Sequence, residues 1–304
     1  MMRAPLLLLA LVLPFISGKT ETVIVSLGGF TGDTQSVTDR MEMFIPSRNK
    51  SVVLATSLSE PRQDLAAVCV DGKIYVLGGQ GQAGSPVDTV EVYDFDSNKW
   101  STLSPMPKAS ASHAAVHKDG QIYVFGSDGF ACRYDIANDN WHNISGYSFV
   151  HSVSAALKGV FIVACDLYAQ CGKYSITTNQ WSSYGSPMII KAAPVLVQNW
   201  YDGVYAVGGM DENYNPIGTV EATDYQVDGW QFIGEKYSVP YPQSLHAVTL
   251  ADDKIYLTGG VKMAPRGNSV SNRILRFEPP TWRVLHPLAY SRYSHASVAC
   301  QITV

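Results

Sequence analysis

The sequence predicts an all-β chain arranged as a radial or linear array of six similar four-stranded antiparallel units, on three observations. First, a short apolar run of β-branched and aromatic residues ends in a glycine pair, as in Lys73-Ile74-Tyr75-Val76-Leu77-Gly78-Gly79; such a run reads as a buried strand punctuated at its end. Second, a tyrosine and a tryptophan follow at fixed spacing, here Tyr93 and Trp100, with Asp96-Ser97-Asn98 between them as the turn of a hairpin. Third, the whole unit recurs. One such sheet cannot bury both of its faces alone, so the copies must stack on one another.

Taken in order, Gly28-Gly29 closes the strand over 23–27, and Phe44 takes the tyrosine place with Val52-Val53 near the missing indole. The second copy is the intact one just described. In the third, Ile122-Tyr123-Val124-Phe125 ends in Gly126-Ser127, followed by Tyr134 and Trp141. In the fourth, Val160-Phe161-Ile162-Val163 ends in Ala164-Cys165, followed by Tyr174 and Trp181. Gly208-Gly209 with Tyr225 and Trp230 marks the fifth, and Gly259-Gly260 with Phe277 and Trp282 the sixth.

At these residues the chain resembles the Kelch-repeat family, within the galactose-oxidase-like propeller superfamily. The resemblance implies a six-bladed β-propeller, each repeat being one blade. The segment 291–300 reads like the inner strand that opens the other repeats, whereas the first repeat begins at its second strand. The tail is therefore expected to complete the first blade and close the ring, which removes two sheet edges. The expected blades are 20–58 with 291–304, then 59–107, 108–149, 150–187, 188–240 and 241–290, all within one domain over 19–304.

The 304 residues are 46% apolar, enough to fill a large core, and the net charge of −4 comes with no lysine or arginine run. A nucleic-acid or anionic-membrane partner is thereby excluded. Residues 1–18 read as a cleaved secretory signal, with Arg3 as the charged start, an apolar stretch over 6–16, and Ser17-Gly18 before the cut. No other segment approaches the roughly twenty unbroken apolar residues of a membrane span. Asn49-Lys50-Ser51 and Asn143-Ile144-Ser145 are N-glycosylation sequons, so the chain is expected to be a secreted, monomeric glycoprotein. Of its five cysteines, Cys165 and Cys171 flank a turn and are the expected disulfide. Cys69 and Cys300 lie on innermost strands in offset positions, which argues against their pairing; Cys132 is left over.

Chemistry is thin. His113, His246 and His295 share one repeat position, but the same slot holds Leu65 and, by this alignment, Ser154 and Ala193. That is how an inter-blade packing position behaves, so no metal is expected. No nucleophile elbow, zinc-protease helix, phosphate loop or dinucleotide fingerprint occurs, and neither the adjacent histidines of the copper oxidases nor the Asp-box of sialidases is present. Asp252-Asp253 and the pair Asp94/Asp96 lie at hairpin turns, where carboxylates cap backbone donors. No catalytic residue and no cofactor is expected.

What remains is surface. In the family, the loops between second and third strands, with those leading into each inner strand, form one partner-binding face. Asp128 falls on the third of these loops, Asp211, Asn213 and Tyr214 on the fifth, and Arg266 on the sixth, in mixtures of aromatic, amide and charged groups that suit recognition. Arg62 and Arg292, with Tyr241 and Lys108 near the equivalent place, fall where family members linked to BTB domains set arginines that grip acidic peptides. No BTB or BACK segment precedes the repeats, so the adaptor role of those proteins is not implied. The expected function is a non-catalytic binding module for a protein or glycan. The alternatives are a sugar-acid (sialate) mutarotase, which would need Arg62, Arg292 and a carboxylate such as Asp211 or Asp128 to converge, and an intracellular Kelch protein serving actin or a ubiquitin ligase.

Overall fold

The computed structural model describes residues 19–199, 202–223, 229–262 and 269–303. The expected signal segment, Arg266 and Tyr225 lie outside the described residues. Those described form six four-stranded antiparallel sheets and no α-helix. The inner strands Ala66–Val70, Ala114–Lys118, Val153–Lys158, Val195–Gln198 and Ala247–Ala251 each touch the next, and Ala296–Thr303 touches both the first and the last of them. The sheets are thus blades of a closed ring. Ala296–Thr303 pairs over its whole length with Thr20–Leu27, from Leu27 opposite Ala296 to Thr20 opposite Thr303, so one blade is sewn from both ends of the described chain.

Strand side chains alternate between a blade's two neighbours, and the apolar core accordingly lies between blades rather than at the centre. Val23, Val25 and Val298 of the first blade meet Ile74, Val76 and Tyr93 of the second. Ile24 and Phe44, one residue out of phase, meet Tyr256 and Ile274 of the sixth. The tyrosine–tryptophan spacing also acquires a physical cause. Tyr93, Tyr134 and Tyr174 donate to Asn98, Asp139 and Asn179 across their own hairpins at 2.6, 2.5 and 2.9 Å. The indoles reach back to the preceding blade: Trp141 to the Ser104 carbonyl at 2.9 Å, Trp181 to that of Ser145 at 2.7 Å, and Trp282 to that of Tyr237 at 2.7 Å.

Register corrects three readings by one or two residues. In the first blade Phe44 faces Ser51, which therefore holds the tryptophan place instead of Val52. In the fourth, Tyr174 faces Ile162 as Tyr93 faces Ile74, so the glycine pair is replaced by Asp166-Leu167 and not by Ala164-Cys165. The histidine slot is filled there by Val153 and in the fifth blade by Pro194, not by Ser154 and Ala193. Asp166 does the turn's work with its carboxylate, accepting the amides of Tyr168 and Gln170 at 3.0 Å each and that of Val150 at 3.0 Å.

One cysteine reading is overturned. Cys69 and Cys300 form a disulfide with Cα atoms 5.5 Å apart. Equivalent positions on neighbouring inner strands point the same way round the ring, so residues that face one another across the gap must differ by an odd number of positions. The offset that argued against the pair is what brings it together. Cys165 and Cys171 stand directly opposite on paired strands and form the second disulfide, Cα atoms 4.1 Å apart. Cys132 is a buried free thiol whose pKa burial pushes up to about 12, which makes it a poor nucleophile.

Candidate functional site

In a four-stranded meander the connections alternate between the two ends of the blade. The turn between second and third strands therefore emerges on the same face as the segment leading into the next inner strand. On that face the two are tied together within a blade: Arg62–Gln63 pairs with Gln80–Gly81, Phe30–Thr31 with Arg292–Tyr293, and single bridges join Ala192 to Met210 and Ser244 to Val261. A glycine is required where they cross. Gly29 has φ +92°, and a Cβ there would stand 2.6 Å from the Tyr293 carbonyl and 2.7 Å from His295.

At the centre, Asp64, Ser112, Leu245 and Ser294 all take positive φ and pass backbone hydrogen bonds around the mouth of the channel. The Asp64 amide donates to Ser294 at 2.8 Å, Ser112 to Asp64 at 2.7 Å, and Ser294 to Leu245 at 3.0 Å. They rim a cavity of about 270 Å³ whose lining includes Ser112, Ser152, Ser154, Ser294 and Ser297. Asp64 and Asp166 are among the lining residues, the carboxylate of Asp166 being held by its own turn, and burial raises the pKa of Asp64, with a hydrogen bond from Ser294 pulling the other way.

Arg62 and Arg292 do not face this mouth. They are 1% and 0% exposed, each folded under its own lead-in segment against a buried glutamate of the third strand, Glu91 and Glu42 respectively. Arg62 also donates to the Gly78 carbonyl at 3.1 Å, and Arg292 to those of Gly28 at 3.1 Å and Arg40 at 3.3 Å. Glu42 accepts the amides of Ala289 and Tyr290 as well. In the fifth blade Glu221 holds the same position without an arginine, and takes the amides of Met188, Ile189 and Ile190 instead. These glutamates pin the lead-in segments. The arginines are therefore structural, and the convergence with Asp211 or Asp128 that a mutarotase-like site needs is not formed.

The three histidines are likewise absorbed by the framework. His113, His246 and His295 each sit over the first glycine of the preceding blade, Gly78, Gly208 and Gly259. His246 donates Nε2–H to the Val207 carbonyl at 3.0 Å, and His295 Nε2 pairs with Thr258 Oγ1 at 2.9 Å. Burial holds His113 and His246 at about 4 and lowers His295 well below its ordinary value. The unfolded chain, titrating near 6.5, then binds protons that the fold refuses, so stability is full above that pH and is lost as pH falls towards 4. Between pH 7 and pH 6 the expected loss is about 0.7 kcal/mol per histidine, read as a falling urea midpoint. His113→Leu, which copies Leu65, should flatten that slope; an unchanged slope would show that this ring titrates normally in the fold.

The remaining expected residues are on the loop face. Asp211 spends its carboxylate on its own turn, accepting the amides of Asn215 at 2.9 Å and Asn213 at 2.8 Å, contacts that lower its pKa. Asn213 and Tyr214 are thereby held outward at the tip. Asp128 is exposed, and Tyr241 is exposed with the Arg273 guanidinium 4.5 Å over its ring. Sequence reasoning passed over Val150, Met188, Ile189 and Leu245, all exposed on this face together with Tyr168 of the 166–170 turn. The one signal for them was the run Met188-Ile189-Ile190, apolar without strand alternation beside neighbours. Asn49 is exposed at the hairpin turn, at the end of its blade away from this face, where its Oδ1 accepts the His286 amide at 3.0 Å; Asn143 is exposed at the end of its blade's outer strand, opposite Cys132.

A family model of the Kelch motif matches residues 61–107, the second blade, where the glycine pair and both aromatics are intact. Among curated proteins the chain is similar to "Kelch-like protein 25" of Xenopus tropicalis, 24% identical over 71% of this chain and 32% of that protein. It is similar to "Beta-scruin" of Limulus polyphemus, 23% identical over 68% and 20%. "Kelch repeat and BTB domain-containing protein 13" of Homo sapiens is 24% identical over 63% and 43%. The matched region spans less than half the length of each relative.

Proposed function

Because this chain belongs to the Kelch-repeat family, we propose that its propeller is a non-catalytic binding module that offers its loop face to a protein partner outside the cytosol. One observation carries the reading. Arg62 and Arg292, His113, His246 and His295, and Glu42, Glu91 and Glu221 are consumed by the framework, while large apolar side chains, Tyr214 at 57% exposure and Met188 at 63%, stand outward on the loop face. Exposed apolar clusters rimmed by polar residues are what interaction faces present. Two disulfides and two exposed sequons favour an oxidising compartment, and a cleaved segment over 1–18 would deliver the chain there. No helix among the described residues is long and apolar enough to cross a membrane.

Two measurements test this. Intact-mass and N-terminal analysis of protein from its native cells should find a start near Lys19, hexose mass on Asn49 or Asn143, and Cys132 as the free thiol. A retained Met1 with bare asparagines and five free thiols would refute secretion. A photo-crosslinking residue at Tyr214 should capture partner protein in that medium, and one at Val160, exposed on the opposite face, should not. Capture at Val160 alone would move the interface to the other side.

A further inference from the structure

The loop face is divided. Its exposed large apolar side chains come from the fourth, fifth and sixth blades: Tyr168, then Met188, Ile189 and Tyr214, then Tyr241 and Leu245. The other exposed large hydrophobics among the described residues, Val53, Val160 and Val284, sit on outer strands or the opposite face, apart from Val150, which adjoins Tyr168. None comes from the loops of the first three blades. There the exposed charge is acidic. Asp33 is taken by Arg40 at 3.3 Å, leaving Glu60, Asp88 and Asp128 exposed and Asp39 and Asp64 half-buried, against Lys108. The burial of Arg62 and Arg292 deepens this sign, because the two cations that the sequence places at the mouth are neutralised beneath it.

The halves meet at two points. The Asp128 amide donates to the Phe149 carbonyl at 3.2 Å, which sets its carboxylate beside Val150. Asp64 follows Leu245 round the mouth through Ser294, each joined to the next by a backbone hydrogen bond. A ligand laid over the apolar arc therefore ends against a carboxylate on either side of the channel.

Resting on the loop-face reading above, we infer that the face takes a protein segment whose apolar side chains lie on blades four to six while an adjoining lysine or arginine reaches Asp64 or Asp128. The occupant is a basic–apolar segment. An acidic one would bring its carboxylates to a half-face that already repels them, and a purely polar one would leave the arc in water.

Three sets of short fluorescent peptides test this against the full chain by anisotropy: leucine and phenylalanine with lysines, the same with glutamates for lysines, and lysines with serines for the apolar residues. The first set should bind at least about tenfold more tightly than the others, and more weakly as salt is raised. Met188→Ser/Tyr214→Ser should weaken it about tenfold, as should Asp64→Asn/Asp128→Asn, in which asparagine tolerates the positive φ of both sites. Val160→Ser on the other face should change nothing. Equal or tighter binding of the glutamate set, lost in Met188→Ser/Tyr214→Ser, would overturn the basic ligand and leave the loop face standing. Binding lost only in Val160→Ser would overturn both. Binding by none of the sets overturns the inference, with the crosslink at Tyr214 judging the face separately.

Discussion

Replacing Cys69 and Cys300 together by serine is expected to cost about 5 kcal/mol of unfolding free energy, the loop-closure value for so long a tether. The bridge spans 231 residues, and removing it frees nearly the whole ring in the unfolded chain. The Cys165–Cys171 bridge spans 6 residues and should be worth about 2 kcal/mol by the same reasoning. The two can be ranked by thermal or urea unfolding of Cys69→Ser/Cys300→Ser beside Cys165→Ser/Cys171→Ser. The placement of the longer bridge adds to its effect. It fastens the strand that completes the first blade to the inner strand of the second, across the point where the ring is sewn shut. If the short bridge proves the more stabilising, the tether is not what holds the closure.

Arg292→Met is expected to destabilise the fold by about 3–5 kcal/mol, because it strands the Glu42 carboxylate in a site that is itself fully buried. Glu42 keeps the amides of Ala289 and Tyr290, which places the loss toward the lower end of that range. Removing the acid alone, by Glu42→Leu, should cost a similar amount, since it leaves the guanidinium unpaired and those amides without an acceptor. The double variant should be less destabilised than the sum of the singles by roughly 2 kcal/mol or more, as seen in a urea double-mutant cycle. Additive losses would mean that the two charges do not act as a pair. Arg62 with Glu91 offers the same cycle in the second blade, away from the closure.

The repeat grammar was legible because it is local. Strand runs, glycine pairs and the aromatic pair of each hairpin lie within one unit, and side-chain alternation announces them. What escaped were contacts between residues distant in sequence. Cys69 and Cys300 were compared as though equivalent positions faced each other, when neighbouring blades present opposite parities. Arg62 and Arg292 were placed at the mouth by family analogy, and their partners lie 29 and 250 residues away. A sequence clue did exist. Glu42 and Glu91 each stand two residues before the hairpin aromatic, Phe44 or Tyr93, and a lone acid inside an apolar strand asks for a buried cation. The exposed apolar arc had no comparable clue, since Val150 or Leu245 reads in a sequence like any residue destined for the core.

The hooks at the outer edges of the blades point the same way. Trp141 holds the exit of the second blade, Trp181 that of the third and Trp282 that of the fifth, while Asn49 in the first blade takes the amide of His286 from the sixth. The histidines over Gly78, Gly208 and Gly259 lean in that direction too. The ring is therefore a ratchet with a sense of rotation. A lesion in one blade releases the outer edge of the blade before it and leaves the blade after it still gripping, so fraying should travel around the molecule toward the N-terminal side of the damage.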